Sequence, residues 1–406
     1  MNRTRAASVA RLSKGIRGGD LVYAGGLMGM EFFATTVQGI EDIAGEEVET
    51  LLGCRATPDV GKVFFTADLD AAYHLNLRAR TLHKVMIQLC RSDFEGLEDI
   101  YRAAKGIDYA WIIGGDQAFA VRSERVGVHD FTSVDVSRVV GQAIIDAYRE
   151  ETGRRLKVDL DAPDVEVHCL VRGGELLMGV NTTGRSLHRR GYRVYEHPAA
   201  LKPTIASAML RIGGWRGPEA LIDPMCGGAT IPIEAALQAR GVAPNLTRED
   251  FALLNLKLFD EEKLEEARER CRDRERSDAL EIHAMEKFRR HLEGGMRNAE
   301  KAGVLDAIQF KLGDATRRGH YPHSSLDLVV VNPPYGVRMT PPESLGRLYA
   351  GFLGALRKAA EGAVLVLITA AVRRFREAAE KAEVSILSER RVLHGDLPAR
   401  VFKCRI

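Results

Sequence analysis

Between Glu31 and about Arg193 the apolar residues come in short alternating runs. Met30-Glu31-Phe32-Phe33-Ala34, Lys62-Val63-Phe64-Phe65 and Phe119-Ala120-Val121-Arg122 each predict a strand. Among them, Val136, Val139, Val140, Ile144 and Ile145 recur at helical spacing, which predicts a helix from Ser133 to Tyr148 with Ser133 as its N-cap. Val158-Asp159-Leu160 and the run Val165 to Leu170 then flank a turn at Ala162-Pro163-Asp164. Strands and helices do not alternate strictly here, so this part reads as α+β. From about Tyr195 the pattern changes to strand then helix, repeatedly. Leu221-Ile222, Ile282 to Met285, Ile308 to Phe310, Leu326 to Val331, Ala363 to Ile368 and Arg391 to Leu393 read as strands, with helices at Ile231 to Gln238 and Phe288 to Lys301. That order implies an α/β unit whose parallel sheet is covered by helices. Residues from about 242 to 280, charge-dense from Glu261 to Asp278, read as a helical insertion into the first repeat.

Composition narrows the picture. The 406 residues are 45% hydrophobic and 28% charged, an ordinary globular balance that suits two or three domains. No run of about 18 apolar residues occurs, so no membrane span is expected. The six cysteines (Cys54, Cys90, Cys169, Cys226, Cys271 and Cys404) form no C-x-x-C pair and no Cys/His cluster, which predicts reduced thiols, a cytoplasmic setting and no metal site. Residues 1 to 30 hold five basic residues against one acidic, with two Gly-Gly pairs and no sustained apolar stretch. They read as a flexible basic leader: a solvated tail or an over-long start, with Met28 or Met30 as the alternative initiator. Their Arg-rich, acid-poor make-up superficially matches an organelle transit peptide.

Two segments carry chemistry. Asp223-Pro224-Met225-Cys226-Gly227-Gly228-Ala229-Thr230 lies between a strand and a helix, where a parallel sheet presents ligands at the carboxyl ends of its strands. Small residues allow close backbone approach, but the segment lacks the G-x-G-x-x-G and Gly-Lys-Ser/Thr patterns of dinucleotide and ATP loops. Asn332-Pro333-Pro334-Tyr335-Gly336 follows the strand Leu326 to Val331. Its two prolines fix an extended backbone and remove two N–H donors, leaving carbonyl acceptors beside the Asn332 carboxamide. That is a cradle for an NH₂ group, with the Tyr335 ring as a face for a stacked base.

Together these segments resemble the AdoMet-dependent amino-group methyltransferases of the Rossmann-like class, and Lys202-Pro203-Thr204-Ile205-Ala206 resembles the stretch that precedes their first strand. Phe119 to Arg193 resembles a THUMP RNA-binding domain, through Val121-Arg122-Ser123-Glu124-Arg125, His129-Asp130-Phe131-Thr132-Ser133 and Leu187-His188-Arg189-Arg190-Gly191-Tyr192-Arg193. From about residue 31 the chain is similar to the THUMP guanosine-N2 methyltransferases that act on tRNA, nearest to those that modify position 6 of the acceptor stem. The resemblance implies a ferredoxin-like subdomain over 31–90, a THUMP domain over 91–193 and a Rossmann-like methyltransferase domain over 194–406. It further implies that Asp223, Pro224, Met225, Cys226, Gly227, Ala229 and Thr230, with Thr204 nearby, surround the methionine end of AdoMet. Glu286, beside Lys287, takes the ribose hydroxyls, and Asp314, beside Ala315, takes the adenine amino group. Asn332, Pro333, Pro334 and Tyr335 are the implied catalytic residues. Ala229 and Ala284-Met285-Glu286 depart from the usual Gly and Gly-x-Asp.

The implied reaction is direct displacement at the AdoMet methyl by a guanine N2 held by Asn332 Oδ1 and the Pro333 carbonyl, with neither a metal nor a covalent nucleophile. The motif alone serves adenine N6, ribosomal-RNA guanine or a protein glutamine amide equally, and a non-catalytic RNA-binding adaptor shares the same fold. The attached THUMP segment favours tRNA, and a monomer is expected. Arg122, Arg125, Arg189, Arg190 and Arg193 are the phosphate-contact candidates. The net charge of +2 conceals an asymmetry: residues 31 to 200 hold 20 basic against 27 acidic residues, and residues 201 to 406 hold 33 against 28. RNA contact by the acidic half must therefore come from a local arginine-rich face.

Overall fold

A computed structural model describes residues 29–334 and 342–406. The leader up to Met28, with the alternative initiator there, lies outside the described residues, as do Tyr335 and Gly336. The N-terminal half contains strands β1 (Met30–Thr36), β2 (Ala56–Asp59), β3 (Lys62–Ala67), β4 (Leu82–Asp93), β5 (Ala118–Val126), β6 (Lys157–Val158), β7 (Val165–Arg172) and β8 (Glu175–Asn181). Helices α1 (Glu41–Leu52), α2 (Asp70–Arg78), α3 (Leu97–Lys105) and α4 (Ser133–Thr152) pack with them. All eight strands form one sheet, in the order β2-β3-β1-β4-β8-β7-β5-β6. Antiparallel pairing of β4 with β8 joins its two parts.

The N-cap of α4 is Thr132 rather than Ser133. Thr132 Oγ1 accepts from the Asp135 N–H at 3.2 Å while the Asp135 carboxylate accepts from the Thr132 N–H at 2.9 Å, a reciprocal capping box.

The C-terminal half is α/β. Its strands are β9 (Leu221–Asp223), β10 (Ile282–Glu286), β11 (Ile308–Leu312), β12 (Leu328–Val331), β13 (Val364–Thr369), β14 (Ser385–His394) and β15 (Leu397–Arg405). Helices α5 (Pro203–Gly213), α6 (Thr230–Ala239), α7 (Glu261–Arg272), α8 (Arg289–Lys301), α9 (Pro342–Ala359) and α10 (Val372–Lys381) accompany them. The sheet order is β11-β10-β9-β12-β13-β15-β14. β9 to β13 run parallel, and the hairpin of β14 and β15 closes one edge antiparallel. The expected parallel sheet is thus a mixed one. Alternate residues of β12 enter opposite cores, Leu328 and Val330 on one face and Val329 and Val331 on the other. Burial on both faces is why this strand reads as an unbroken apolar run.

The insertion does more than interrupt. Its apolar Phe251, Leu253, Leu256, Leu264, Ala267 and Cys271 belong to the core of the N-terminal half. Its backbone also donates across, from Asn245 to the Leu77 carbonyl at 3.2 Å and from Leu253 to that of Thr182 at 2.8 Å. The two halves are therefore pinned by a segment that originates in one and packs in the other.

Candidate active site

Strand order reverses between β9 and β12, and the carboxyl ends of the strands there open onto a cavity of about 240 Å³. After β9 the chain makes a tight loop: Gly227 takes φ +52°, which glycine adopts without strain. Ala229, the N-cap of α6, takes φ +59°, a conformation that costs an alanine about 1 kcal/mol. At the end of β10, Glu286 accepts from the Gly227 N–H at 3.1 Å and the Phe288 N–H at 2.9 Å, so one carboxylate fixes the loop beside it. Past β11, Asp314 pairs with Lys287 at 2.9 Å and accepts from the Thr316 hydroxyl at 2.7 Å. Burial pushes the Asp314 carboxyl up, but Lys287 and Thr316 more than reverse that and hold it well below the ordinary carboxylate range.

Asp223 is enclosed. Burial drives its carboxyl well above the ordinary range and the nearby Glu286 adds to the rise, while the Met225 N–H donates to it at 3.1 Å. Burial also raises the Cys226 thiol, which argues against a nucleophilic role. At the end of β12, Asn332 Nδ2 donates to the Ala199 carbonyl at 3.3 Å, whereas its buried Oδ1 has no partner among the described residues. A buried acceptor without a donor is costly, and this one belongs to a residue that lines the cavity.

The cavity gathers Asp223, Pro224, Met225, Cys226, Gly227, Thr230, Glu286, Lys287, Asp314, Ala315, Asn332 and Pro334 from four separate segments. Thr204 does not line it. Buried near the start of α5, Thr204 Oγ1 instead hydrogen-bonds His83 Nε2 at 3.2 Å. Ala229 is likewise fully buried behind the loop, and Pro333 is buried beside Asn332.

Sequence reasoning missed the segment that roofs the cavity. Asn298 on α8 accepts from the Val194 and Tyr195 N–H groups at 3.0 and 2.8 Å and donates to the Tyr195 and Gly228 carbonyls, both at 3.0 Å. This stitches residues 194–195 to the loop after β9, and His197, Ala199 and Ala200 line the cavity beyond it. Phe288, 60% exposed, presents a ring at the rim. An aromatic residue two positions after a strand-ending acid was the signal available for it.

The family model described as an RMKL-like methyltransferase domain matches residues 190–400. The chain belongs to this methyltransferase family. Two further models match the N-terminal half: an RlmL ferredoxin-like domain over 31–86 and a THUMP domain over 94–181. Among its relatives, the tRNA (guanine(6)-N2)-methyltransferase of Archaeoglobus fulgidus is 44% identical, covering 92% of this chain and 91% of that one. The enzyme of the same name from Methanocaldococcus jannaschii is 37% identical, covering 92% and 99%. The crystal structure of TrmN from Thermus thermophilus, 27% identical, superposes with a TM-score of 0.71 over 93% of this chain and 99% of that one.

The arginines separate sharply within this THUMP-bearing methyltransferase. Arg122, Arg125 and Arg189 are exposed, although Arg122 also donates to the Leu160 carbonyl at 2.6 Å and Arg125 to that of Gly127 at 3.1 Å. Arg190 is not available to RNA: its side chain is 0% exposed and pairs with the equally buried Glu234 at 3.1 Å. Arg193 is half-buried and donates to Thr230 Oγ1 at 2.9 Å and to the Leu201 carbonyl, so it braces the cavity wall.

Proposed function

We propose that this chain transfers a methyl group from AdoMet to the exocyclic N2 of a guanine in tRNA, at position 6 of the acceptor stem. The observation that carries the reading is the buried Oδ1 of Asn332, without a partner among the described residues, beside a cavity that has carboxylates at the ends of β10 and β11. The names of the archaeal relatives supply the position. Bound AdoMet supplies an electrophilic methyl on a sulfonium. Asp223, Gly227 and Thr230 would enclose its methionine end, Glu286 its ribose hydroxyls and Asp314 its adenine amino group, with Phe288 stacking on the adenine face.

Asn332 Oδ1 and the Pro333 carbonyl accept from the guanine NH₂. Two acceptors favour a pyramidal nitrogen whose lone pair is less committed to the ring, and they stabilise the positive charge that develops on it. Most of the acceleration is orientation. The departing proton passes to solvent, since a carboxamide is no base. A paired guanine must be turned out of its stem, at a cost of a few kcal/mol, and stacking on Tyr335 offsets part of it. Arg122, Arg125 and Arg189 would grip phosphates. A groove of about 810 Å³ runs from the N-terminal sheet, past Arg122, Lys84 and Arg172, to Lys202 of the catalytic half. A cytoplasmic location follows from the same reading.

The test is methylation of unmodified tRNA with labelled AdoMet, followed by nucleoside mass spectrometry and position mapping. N2-methylguanosine at position 6 is expected. Methylated adenosine, or no incorporation, would overturn the reading.

A further inference from the structure

A buried ionic chain runs from the N-terminal half to the helix that follows the cavity loop. Glu47 on α1, 1% exposed, accepts from the Arg80 N–H at 3.1 Å, the Thr81 N–H at 2.8 Å and Arg211 on α5 at 3.0 Å. Arg80 then crosses between the halves. Its Nη2 donates to the carbonyls of Leu237 at 3.2 Å and Val242 at 2.6 Å, at the carboxyl end of α6. That end has carbonyls without intrahelical donors and a negative dipole, so a guanidinium suits it. The Arg80 carbonyl in turn accepts from Arg190 Nη2 at 3.0 Å. Arg190 grips Glu234 at 3.1 and 3.4 Å, and Glu234 also accepts from Tyr192 at 3.0 Å and Ser207 at 2.9 Å.

Cohesion alone does not call for this chain. Burying charges costs about as much as their attraction returns, and apolar side chains of similar volume often hold as well. The halves are already joined by the apolar insertion between α6 and β10. What apolar contact lacks is direction: packed hydrocarbon surfaces tolerate small slides, whereas a bidentate guanidinium fixes distance and angle. The helix so fixed begins at Thr230 on the cavity wall. α6 shares a core with β12, which ends just before Asn332, so a rotation of that packed unit against the N-terminal half changes the span between Arg122 or Arg125 and Asn332.

We propose that Arg80, Arg190 and Glu234 are positioning residues that set which nucleotide of the bound RNA reaches Asn332. The proposal rests on the reading of the chain as a tRNA guanine methyltransferase. Substrate selection is then a matter of a measured distance between two rigidly coupled surfaces, and loosening the lock blurs the distance without removing the chemistry.

The test uses two conservative variants of the full chain. Glu234→Gln keeps the shape and one of the two acceptor oxygens, which Tyr192 and Ser207 occupy separately, but loosens the Arg190 grip. Arg80→Lys keeps the charge, but its side chain is one bond shorter and draws the donor back from the two carbonyls that Arg80 Nη2 reaches, and it carries the same expectation should Glu234→Gln fail to fold. Each is given unmodified tRNA, and the methylated positions are mapped beside the AdoMet dissociation constant. We expect unchanged AdoMet affinity and at least about a tenfold rise in the share of N2-methylguanosine at neighbouring guanines, equivalent to about 1.4 kcal/mol of lost discrimination. A folded variant that methylates the same single nucleotide as the wild type, in the same proportion, overturns the lock. If the wild type forms no N2-methylguanosine, the underlying reading fails instead, and the lock falls with it.

Discussion

Asn332 donates through Nδ2 to the Ala199 carbonyl at 3.3 Å, and this leaves its buried Oδ1 as an acceptor without a donor among the described residues. The roof segment thus orients the carboxamide before any substrate arrives. Such pre-orientation is what a group that works by placing an NH₂ requires, because no reorganisation is then needed during the reaction.

The roof depends on close packing at Gly294. A Cβ built there would stand 2.3 Å from the Tyr195 ring, so Gly294→Ala must push the segment 195–201 outward. We expect a loss of about 1 to 3 kcal/mol of stability together with weaker AdoMet binding. Denaturant titration and calorimetry check both. Wild-type AdoMet affinity in the variant would show that the roof does not shape the cavity.

Asp223 sets a proton-linked signature. Its carboxyl is raised by burial and by Glu286, and a cationic sulfonium or ammonium brought beside it favours the ionised form. AdoMet binding is therefore expected to release protons over the raised range in which Asp223 titrates, with affinity falling as pH is lowered. Calorimetry in two buffers of different ionisation enthalpy reads the release, and Asp223→Asn abolishes it. Equal heats in the two buffers for the wild type would contradict the assignment.

Neighbouring arginines have opposite fates. Arg190→Ala leaves Glu234 as an uncompensated buried charge and is expected to cost about 3 to 5 kcal/mol of stability. Arg189→Glu, on an exposed side chain, should leave the fold intact and weaken tRNA binding, with the salt dependence reduced by about one phosphate contact. Thermal melts and filter binding over a salt series separate the two. Tight, wild-type tRNA binding by Arg189→Glu would remove it from the interface.

Acid sensitivity follows from His83. Burial, with help from His188, Lys202 and Arg190, depresses its imidazole to about 3, and burial beside Lys202 and Arg189 depresses His188 to about 4. An unfolded imidazole titrates near 6.5, so between that value and about 3 the unfolded chain binds more protons. Stability is therefore full above pH 7 and falls as the pH drops. His83 alone is expected to remove on the order of 2 kcal/mol between pH 7 and pH 5. Urea titrations at the two pH values check this, and His83→Gln should flatten the difference.

Much of the site was legible because its corners follow strands. The apolar runs at Leu221-Ile222, Ile282 to Met285, Ile308 to Phe310 and Leu326 to Val331 announce the strands, and Asp223, Glu286, Asp314 and Asn332 stand at or just past their ends. What escaped was non-local. Arg190 sits in a basic run that looks like surface, and its burial depends on Glu234, 44 positions away. The charge-dense insertion conceals that Leu264, Ala267 and Cys271 face the other half's core. The strand Leu397–Arg405 contains a proline and three basic residues, which masks its alternation, and its antiparallel place between β13 and β14 follows from the hairpin. The cap of α4 was within reach, since Asp135 lies three residues after Thr132, the spacing of a capping box.

The most direct test of the account is Asn332→Ala, assayed by single-turnover methyl transfer to unmodified tRNA with AdoMet and tRNA affinities measured on the same preparation. The account predicts near wild-type affinities and a rate lower by about 100-fold to 1,000-fold, the loss typical of removing one pre-oriented polar group from a transition state. Full turnover by the folded variant would contradict it.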